Sequence, residues 1–290
     1  MATPVERHRA ADFFALTKPR LNFLVVVTAA VGYYLGAGSR LDVVKIVEAI
    51  VGTALVAGGA AGLNQVHERD TDSLMWRTRT RPLPAQRLTI GEATIFSLAL
   101  AGTGLATLAR GANLLAALLA LLTLISYNAV YTPMKRRSQL ATLVGAVPGA
   151  LPPMIGWAAA NGRLTPEAWA LFAIVFVWQI PHFMAIAWLY RDDFSRAGFP
   201  LLPVVHPDGK STARQAIIFS VLLIPVSLVP FMLHAAGPVY VAGAILGGLA
   251  LLGLSMSFSA DRTNERARRL FLASITYLPL LWMLLIADRK

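Results

Sequence analysis

Asn64, Glu68 and Asp72 recur at intervals of four in the stretch Asn64-Gln65-Val66-His67-Glu68-Arg69-Asp70-Thr71-Asp72. On a helix each such step advances about 40° around the axis, so one face carries all three side chains. Asp70 falls off that face. Acids stacked in this way repel one another unless a cation sits between them, and an all-oxygen set with few carboxylates suits Mg²⁺ shared with the phosphates of a substrate. Downstream, Arg77, Arg79 and Arg81 lead into Pro82-Leu83-Pro84, which cannot continue a helix. Guanidinium forks match phosphate oxygens, so acids and arginines together describe a magnesium-diphosphate site that offsets the charge of a departing diphosphate. The competing reading is a solvated loop of mutually paired charges, Arg69 and Arg77 neutralising the acids. The amide of Asn64, at the edge of an otherwise apolar helix, favours the site.

Three weaker groupings accompany this one. Asp192 and Asp193 precede Pro200-Leu201-Leu202-Pro203 much as the first acids precede Pro82-Leu83-Pro84, a pattern expected of a distant duplication that would supply a second acidic site. Tyr127, Asn128, Tyr131, Lys135 and Arg136 form a further cluster in which the tyrosines share a face. An aromatic belt and ordinary basic anchors explain them as readily as a cavity lining and a phosphate contact. His67 and His182 sit beside the two acidic groups, so ligation of an iron porphyrin or proton transfer is open to them, whereas His8 and His234 read as exposed loop residues. Gly58, Gly59 and Gly62, and Gly145, Gly149 and Gly156, are expected to let helices approach closely.

The elements that must position these residues follow from composition. Of 290 residues 56% are hydrophobic and 14% charged, and the mean hydropathy is +0.60. Ordinary globular chains are about 45–50% apolar and roughly 25% charged, so a soluble fold, a disordered chain, a collagen-like fibre and a disulfide scaffold are all excluded. With no cysteine, any metal must be held by oxygen or imidazole. A bilayer core takes about 20 apolar residues per helix, and nine runs qualify: near 20–38, 43–64, 91–109, 112–131, 140–160, 167–188, 213–233, 238–258 and 267–287. The expected fold class is all-α, a nine-helix membrane bundle forming one domain around a cavity open to the cytoplasm.

A net charge of +11 raises the question of nucleic acid, but the basic residues lie in the loops between spans, and nucleic acid is not an expected partner. The N-terminal segment and the loops after spans two, four, six and eight hold 20 of the 26 Lys and Arg; the opposite side holds Arg40, Arg110, Arg163, Arg289 and Lys290, and Lys45 lies within span two. That bias places the N-terminus in the cytoplasm and the C-terminus outside. The first long apolar run begins only after Pro19, so no cleavable signal is expected; Phe13, Phe14 and Leu16 suit a short interfacial helix as well as they suit a loop.

The run from Asn64 to Asp72, continued by Arg77-Thr78 and Arg81-Pro82-Leu83-Pro84, resembles the first aspartate-rich motif of the UbiA-type intramembrane prenyltransferases, and most of all their haem-farnesylating branch. Matches in order extend over nearly the whole chain: Leu16-Thr17-Lys18-Pro19-Arg20, Tyr131-Thr132 with Lys135-Arg136, Pro148-Gly149-Ala150 with Pro152-Pro153 and Ile155-Gly156-Trp157, Trp178-Gln179-Ile180-Pro181-His182-Phe183, and Ala197-Gly198 with Leu202-Pro203-Val204-Val205. Two departures stand out. The superfamily's second D-x-x-x-D motif is replaced by adjacent acids, with Tyr190 and Phe194 where that spacing wants carboxylates, and Ala141 stands where the haem branch tends to carry asparagine.

The resemblance implies an enzyme that takes farnesyl diphosphate and haem B in the bilayer and releases haem O and diphosphate, in the cell membrane of a bacterial-type cell and ahead of a further haem-modifying enzyme. It assigns Asn64, Glu68 and Asp72 to Mg²⁺, with Asp70 as a neighbour, Arg77, Arg81, Lys135 and Arg136 to diphosphate, and Asp192 and Asp193 to a second acidic site. His67, His182, Tyr127 and Tyr131 fall on the haem or cavity side. The alternatives are a related prenyltransferase with an aromatic acceptor such as 4-hydroxybenzoate, and a transporter. Transporters place ionisable groups near the bilayer midplane; here the five clustered acids lie at its edge, which favours the enzyme.

Overall fold

The computed structural model describes residues 4–38 and 41–290, with side chains from Arg9 onward. Arg40 and the side chains of Arg7 and His8 lie outside the described residues. Two helices, α1 (Pro4–Leu16) and α2 (Pro19–Gly36), meet at a 46° bend. Pro19 cannot donate to a preceding turn, and Lys18 adopts the left-handed conformation at φ 46°, so the chain turns there and throws the lysine side chain inward. The segment ahead of Pro19 is therefore a helix, and His8 stands in it and not in a loop.

α3 (Val43–Leu74) begins at Asp42, whose carboxylate accepts from the Val44 and Lys45 amides. It is 32 residues long, about 48 Å at 1.5 Å per residue, and so outreaches a hydrocarbon core of about 30 Å. The apolar run expected to end at residue 64 ends there, but the helix does not. Gln65, Glu68 and Arg69 break hydropathy without breaking helix propensity, so the acidic ladder rides on turns that continue past the membrane core.

α4 (Ile90–Thr107) starts on a capping box between Thr89 and Glu92 and runs into a π-helical turn, π1 (Leu108–Ala112). α5 (Leu114–Ile125), capped by Asn113, runs into a second one, π2 (Ser126–Tyr131), and the short α6 (Thr132–Met134). The run expected over 140–160 is two helices, α7 (Ala141–Ala150) and α8 (Pro152–Asn161), because Pro152 and Pro153 remove successive amide donors and break the ladder at Leu151. α9 (Pro166–Leu189), α10 (Arg191–Arg196), α11 (Leu202–Val205), α12 (Lys210–Met232), α13 (Pro238–Ala260) and α14 (Asn264–Ala287) complete the chain.

Eight of these elements are long and apolar enough to cross a membrane when the π-continued and broken helices are taken as single spans; there are nine if the bent α1–α2 pair is one span. Phe23, Ile95, Met232 and Leu246 point outward and are more than two-thirds exposed, a surface made for lipid. No strand occurs among the described residues, only an isolated bridge between Ala236 and Arg289. Close approach of backbones holds the bundle together. A Cβ added at Gly156 of α8 would lie 1.8 Å from the Ala29 carbonyl oxygen of α2, and one at Gly59 of α3 would lie 2.5 Å from the Ser97 carbonyl oxygen of α4. The glycines that read as packing residues do pack.

Candidate active site

Along one face of α3, Asn64, Glu68 and Asp72 are all buried, and each carries a cation or donor from a different part of the chain. Lys18, at the α1–α2 bend, donates from Nζ to Asn64 Oδ1 at 2.7 Å. Lys135, just after α6, donates to Glu68 Oε1 at 3.1 Å. Arg81, in the loop after α3, donates from Nη1 to Asp72 Oδ2 at 2.7 Å. Asn64 also donates to Thr132 Oγ1 at 3.1 Å, and that hydroxyl donates to the Tyr127 carbonyl within the π2 turn at 2.8 Å. One acceptor is left over: Asp72 Oδ1 is sealed from solvent with no hydrogen-bond partner among the described residues. A buried carboxylate oxygen without a donor is costly, and it is the kind of ligand a hard cation takes.

The arrangement fits a magnesium-diphosphate complex better than a protein-held metal centre. Among the described residues no group of three His, Cys, Asp or Glu side chains converges, so two carboxylates and an amide would hold Mg²⁺ only together with phosphate oxygens. Lys18, Lys135 and Arg81 stand at the same place, each within hydrogen-bond distance of an acid or amide oxygen of the ladder.

The other expected residues divide. Asp193 is buried; it pairs with Arg196 and accepts from the Trp76 backbone amide at 3.1 Å, tying α10 to the loop after α3. Asp192, its neighbour, is exposed, so the second acidic group presents one carboxylate inward and not two. Arg77 stacks over Tyr190 with its guanidinium 5.1 Å from the ring centroid. Its pKa is lowered, chiefly by desolvation and then by the Arg81 charge, with Tyr190, Asp72 and Asp193 opposing. Phe194, standing where a carboxylate is the superfamily's habit, is buried and lies with Phe199 beside Lys135, whose Nζ is 5.9 Å and 4.5 Å from the two ring centroids.

Asp70 corrects to a surface residue: it is exposed and accepts from Arg69 Nε at 2.9 Å, because two residues of helix turn it away from the Glu68 face. Arg69 therefore does not neutralise Glu68 or Asp72. His67 is exposed too, and only its carbonyl is engaged, by Arg136 Nη2 at 2.9 Å, so Arg136 braces α3 from outside the ladder. His182 lies deeper, between α9 and α14, with Nδ1 2.8 Å from Ser274 Oγ.

Beneath the ladder is a mostly apolar cavity of about 290 Å³. Tyr127 and Tyr131, stacked with centroids 5.5 Å apart, form part of its wall, with Asn22, Ala60, Gly149 and Gln179 among the rest. Gly145 and Gly149 keep the wall thin: a Cβ at either would run into the Tyr131 ring or the Gln179 amide oxygen. Lys18 and Thr132 were not singled out from sequence as site residues. The available signal was that both stand inside matched motifs, Lys18 in Leu16-Thr17-Lys18-Pro19-Arg20 directly before the proline that opens a membrane helix and Thr132 in Tyr131-Thr132.

Comparison with known proteins gives a consistent picture. The model of the UbiA prenyltransferase family matches residues 25–276. Protoheme IX farnesyltransferase of Solibacter usitatus is 47% identical over 287 residues, covering 96% of this chain and 98% of that protein. The protein of the same name from Koribacter versatilis is 43% identical over 288 residues, covering 96% and 93%. Among solved structures, digeranylgeranylglyceryl phosphate synthase superposes with a TM-score of 0.81 at 15% identity, covering 97% of this chain and 98% of that one. A UbiA homologue from Archaeoglobus fulgidus bound to GPP and Mg²⁺ gives 0.65 at 17% identity, covering 95% and 99%. At such identities the structural likeness speaks to fold alone.

Proposed function

The chain belongs to the UbiA prenyltransferase family, and on that premise we propose that it transfers the farnesyl group of farnesyl diphosphate to a vinyl group of haem B, giving haem O and diphosphate. The observation that carries this reading is the buried ladder of Asn64, Glu68 and Asp72, faced by Lys18, Lys135 and Arg81, at the end of an apolar cavity. The near full-length relatives named for the same reaction support the choice of acceptor.

The chemistry follows from what each group does. An allylic diphosphate leaves when its developing charge is neutralised where it forms. Lys18, Lys135 and Arg81 are held within reach of that charge, with Arg77 beside them. Asn64, Glu68 and Asp72 would hold Mg²⁺ together with the phosphate oxygens, and the ion would supply further neutralisation of the leaving group. The apolar wall below, with its stacked tyrosines, takes the isoprenoid tail and keeps water from the electrophilic allylic carbon until the vinyl group attacks. The vinyl π pair forms the new C–C bond as the C–O bond to diphosphate breaks, and a water molecule adds to the cation left on the former vinyl carbon next to the porphyrin ring, giving the hydroxyl and releasing one proton to the departed diphosphate or to solvent. The cations crowd the ladder's end of the bundle, so that end faces the cytoplasm, with the N-terminus inside, the C-terminus outside and the protein in the cell membrane of a bacterial-type cell. The product's chemistry suits a further haem-modifying reaction.

The test incubates purified protein and Mg²⁺ with labelled farnesyl diphosphate and either haem B or 4-hydroxybenzoate. Label in haem alone is expected. Label in the aromatic acid and none in haem refutes the assignment.

A further inference from the structure

We propose that the end of the bundle remote from the ladder holds an anionic phospholipid, its phosphate in a polar cavity of about 370 Å³ and one acyl chain in the apolar groove beside it. α2 is 18 residues long, so the cavity wall at Gly36 stands about 27 Å from Lys18 and the ladder. Four charged side chains line this cavity, Arg163, Arg289 and Lys290 against the single carboxylate of Glu167, which leaves an excess of two positive charges. The groove, of about 600 Å³, runs between α9 and α12 past Ala170, Ala173, Val226 and Val229. Thr165 and Leu233 line both spaces, so one continuous recess joins a cationic chamber to an apolar slot. Both volumes fall within the range of about 300–1,000 Å³ usual for ligand sites. Trp169, more than half exposed, flanks the groove as an indole does at headgroup level.

The wall of the cavity holds donors that the protein leaves unused. Trp157 is only 7% exposed, yet its indole N–H meets no acceptor among the described residues. The Thr165 hydroxyl is sealed from solvent and equally unpartnered there. Thr165 is the N-cap of α9, where a hydroxyl ordinarily accepts from an amide of the first turn, but it makes no such bond. The positive end of a 24-residue helix therefore reaches the cavity without a side-chain cap. The negative end of α2 in the same wall is already satisfied: Arg289 donates to the carbonyls of Tyr34, Leu35 and Gly38, and Asn161 to that of Gly36 at 3.3 Å. Arg163 spends only Nε, on Asn161 Oδ1 at 3.3 Å, and its two Nη groups have no partner among the described residues. An indole and a guanidinium can only donate. The occupant must bring acceptors and negative charge, and the adjoining groove requires an apolar chain on the same molecule. A phospholipid with a net negative headgroup supplies both.

The assay titrates full-length, delipidated protein in detergent with phosphatidylglycerol, phosphatidylethanolamine or inorganic phosphate, and counts retained ligands by native mass spectrometry. Wild type should hold one phosphatidylglycerol ahead of the weaker series of surface lipids, and should bind phosphatidylethanolamine on the order of tenfold more weakly, the worth of one charge-assisted contact. Arg163→Gln should weaken phosphatidylglycerol by a similar factor, on the order of tenfold, with an unfolding midpoint equal to that of lipid-free wild type. Trp157→Phe keeps the ring and deletes the N–H, and should cost roughly 2- to 10-fold. Ala173→Trp fills the groove and should weaken the lipid too, whereas Arg268→Gln, an exposed change at the other end of α14, should alter nothing. If Arg163→Gln or Ala173→Trp binds phosphatidylglycerol as wild type does, the retained lipid is ordinary boundary lipid and the proposal falls. Equal affinity for phosphatidylethanolamine, whose ammonium Glu167 would receive, overturns the net negative headgroup. Displacement of the lipid by inorganic phosphate makes the cavity a plain anion site and overturns the lipid. The farnesyl transfer assay on the same preparations reports the proposed function separately, so either reading can fail alone.

Discussion

Replacing Asp72 with asparagine removes one charge and almost no volume from the most deeply buried member of the ladder. Asp72 Oδ2 is held by Arg81 at 2.7 Å, while Oδ1 has no partner among the described residues. An unsatisfied buried acceptor costs about 1–3 kcal/mol, and a cation that coordinates it recovers that amount. At 1.4 kcal/mol per decade, losing it weakens the magnesium-diphosphate complex by roughly 5- to 150-fold. Turnover should fall further, by about 10²–10³, the usual result of removing one preorganised group that stabilises developing charge. The fold should survive, because Arg81 is a quarter exposed and finds water when its partner is neutralised. Calorimetric titration of farnesyl diphosphate with and without Mg²⁺, alongside product formation, measures both quantities. An Asp72→Asn variant that binds the complex with the wild-type constant, or turns over within threefold of wild type, would refute the assignment of Oδ1 to the metal.

Four further outcomes are expected. Glu68→Gln and Lys135→Met should each strand a buried charge and destabilise by about 3–5 kcal/mol, while the double variant recovers most of the stability and none of the activity, as thermal unfolding and turnover together will register. Lys18→Met should raise the KM for farnesyl diphosphate at least tenfold and leave haem affinity unchanged; equal losses on both substrates would argue that the lysine only props the α1–α2 bend. Gly156→Ala forces a methyl against the Ala29 carbonyl and should cost on the order of 1–3 kcal/mol, read as a lower midpoint in thermal unfolding. Chelation should abolish transfer, with Mg²⁺ restoring it, and activity that persists through thorough chelation would remove the metal from the scheme.

Much of the ladder was legible because helical phase is arithmetic: Asn64, Glu68 and Asp72 share a face, and Asp70 does not, as soon as the segment is helical. Hydropathy, in contrast, measures the bilayer and not the helix, so it marks residue 64 as an end although α3 runs on to Leu74. Phase also fails over short elements. Asp192 and Asp193 are neighbours in a six-residue helix whose docking against the loop after α3, and not its own periodicity, decides which is buried. The partners of the ladder lie far off in sequence: Lys18 is 46 residues from Asn64 and Lys135 is 67 from Glu68. Their arrival depends on a left-handed residue before a proline and on a π turn, neither of which leaves a periodic trace. The break at Leu151 is readable in hindsight from Pro152-Pro153, but a pair of prolines tolerated in a membrane span looks the same in sequence whether the helix bends or stops.

The π2 turn has a consequence beyond its own six residues. A wide turn of this kind holds one more residue than the α turn it replaces, so everything after it is rotated by about 100° relative to an uninterrupted helix. Thr132 and Lys135 follow that offset directly, and they are the groups that meet Asn64 and Glu68. Deleting a single amino acid between Ser126 and Tyr131 would leave composition, hydrophobicity and charge nearly untouched, yet it would swing the lysine toward lipid and leave the glutamate facing nothing. The insertion works as an indexing tooth: it sets the angular position at which two distant stretches of chain engage.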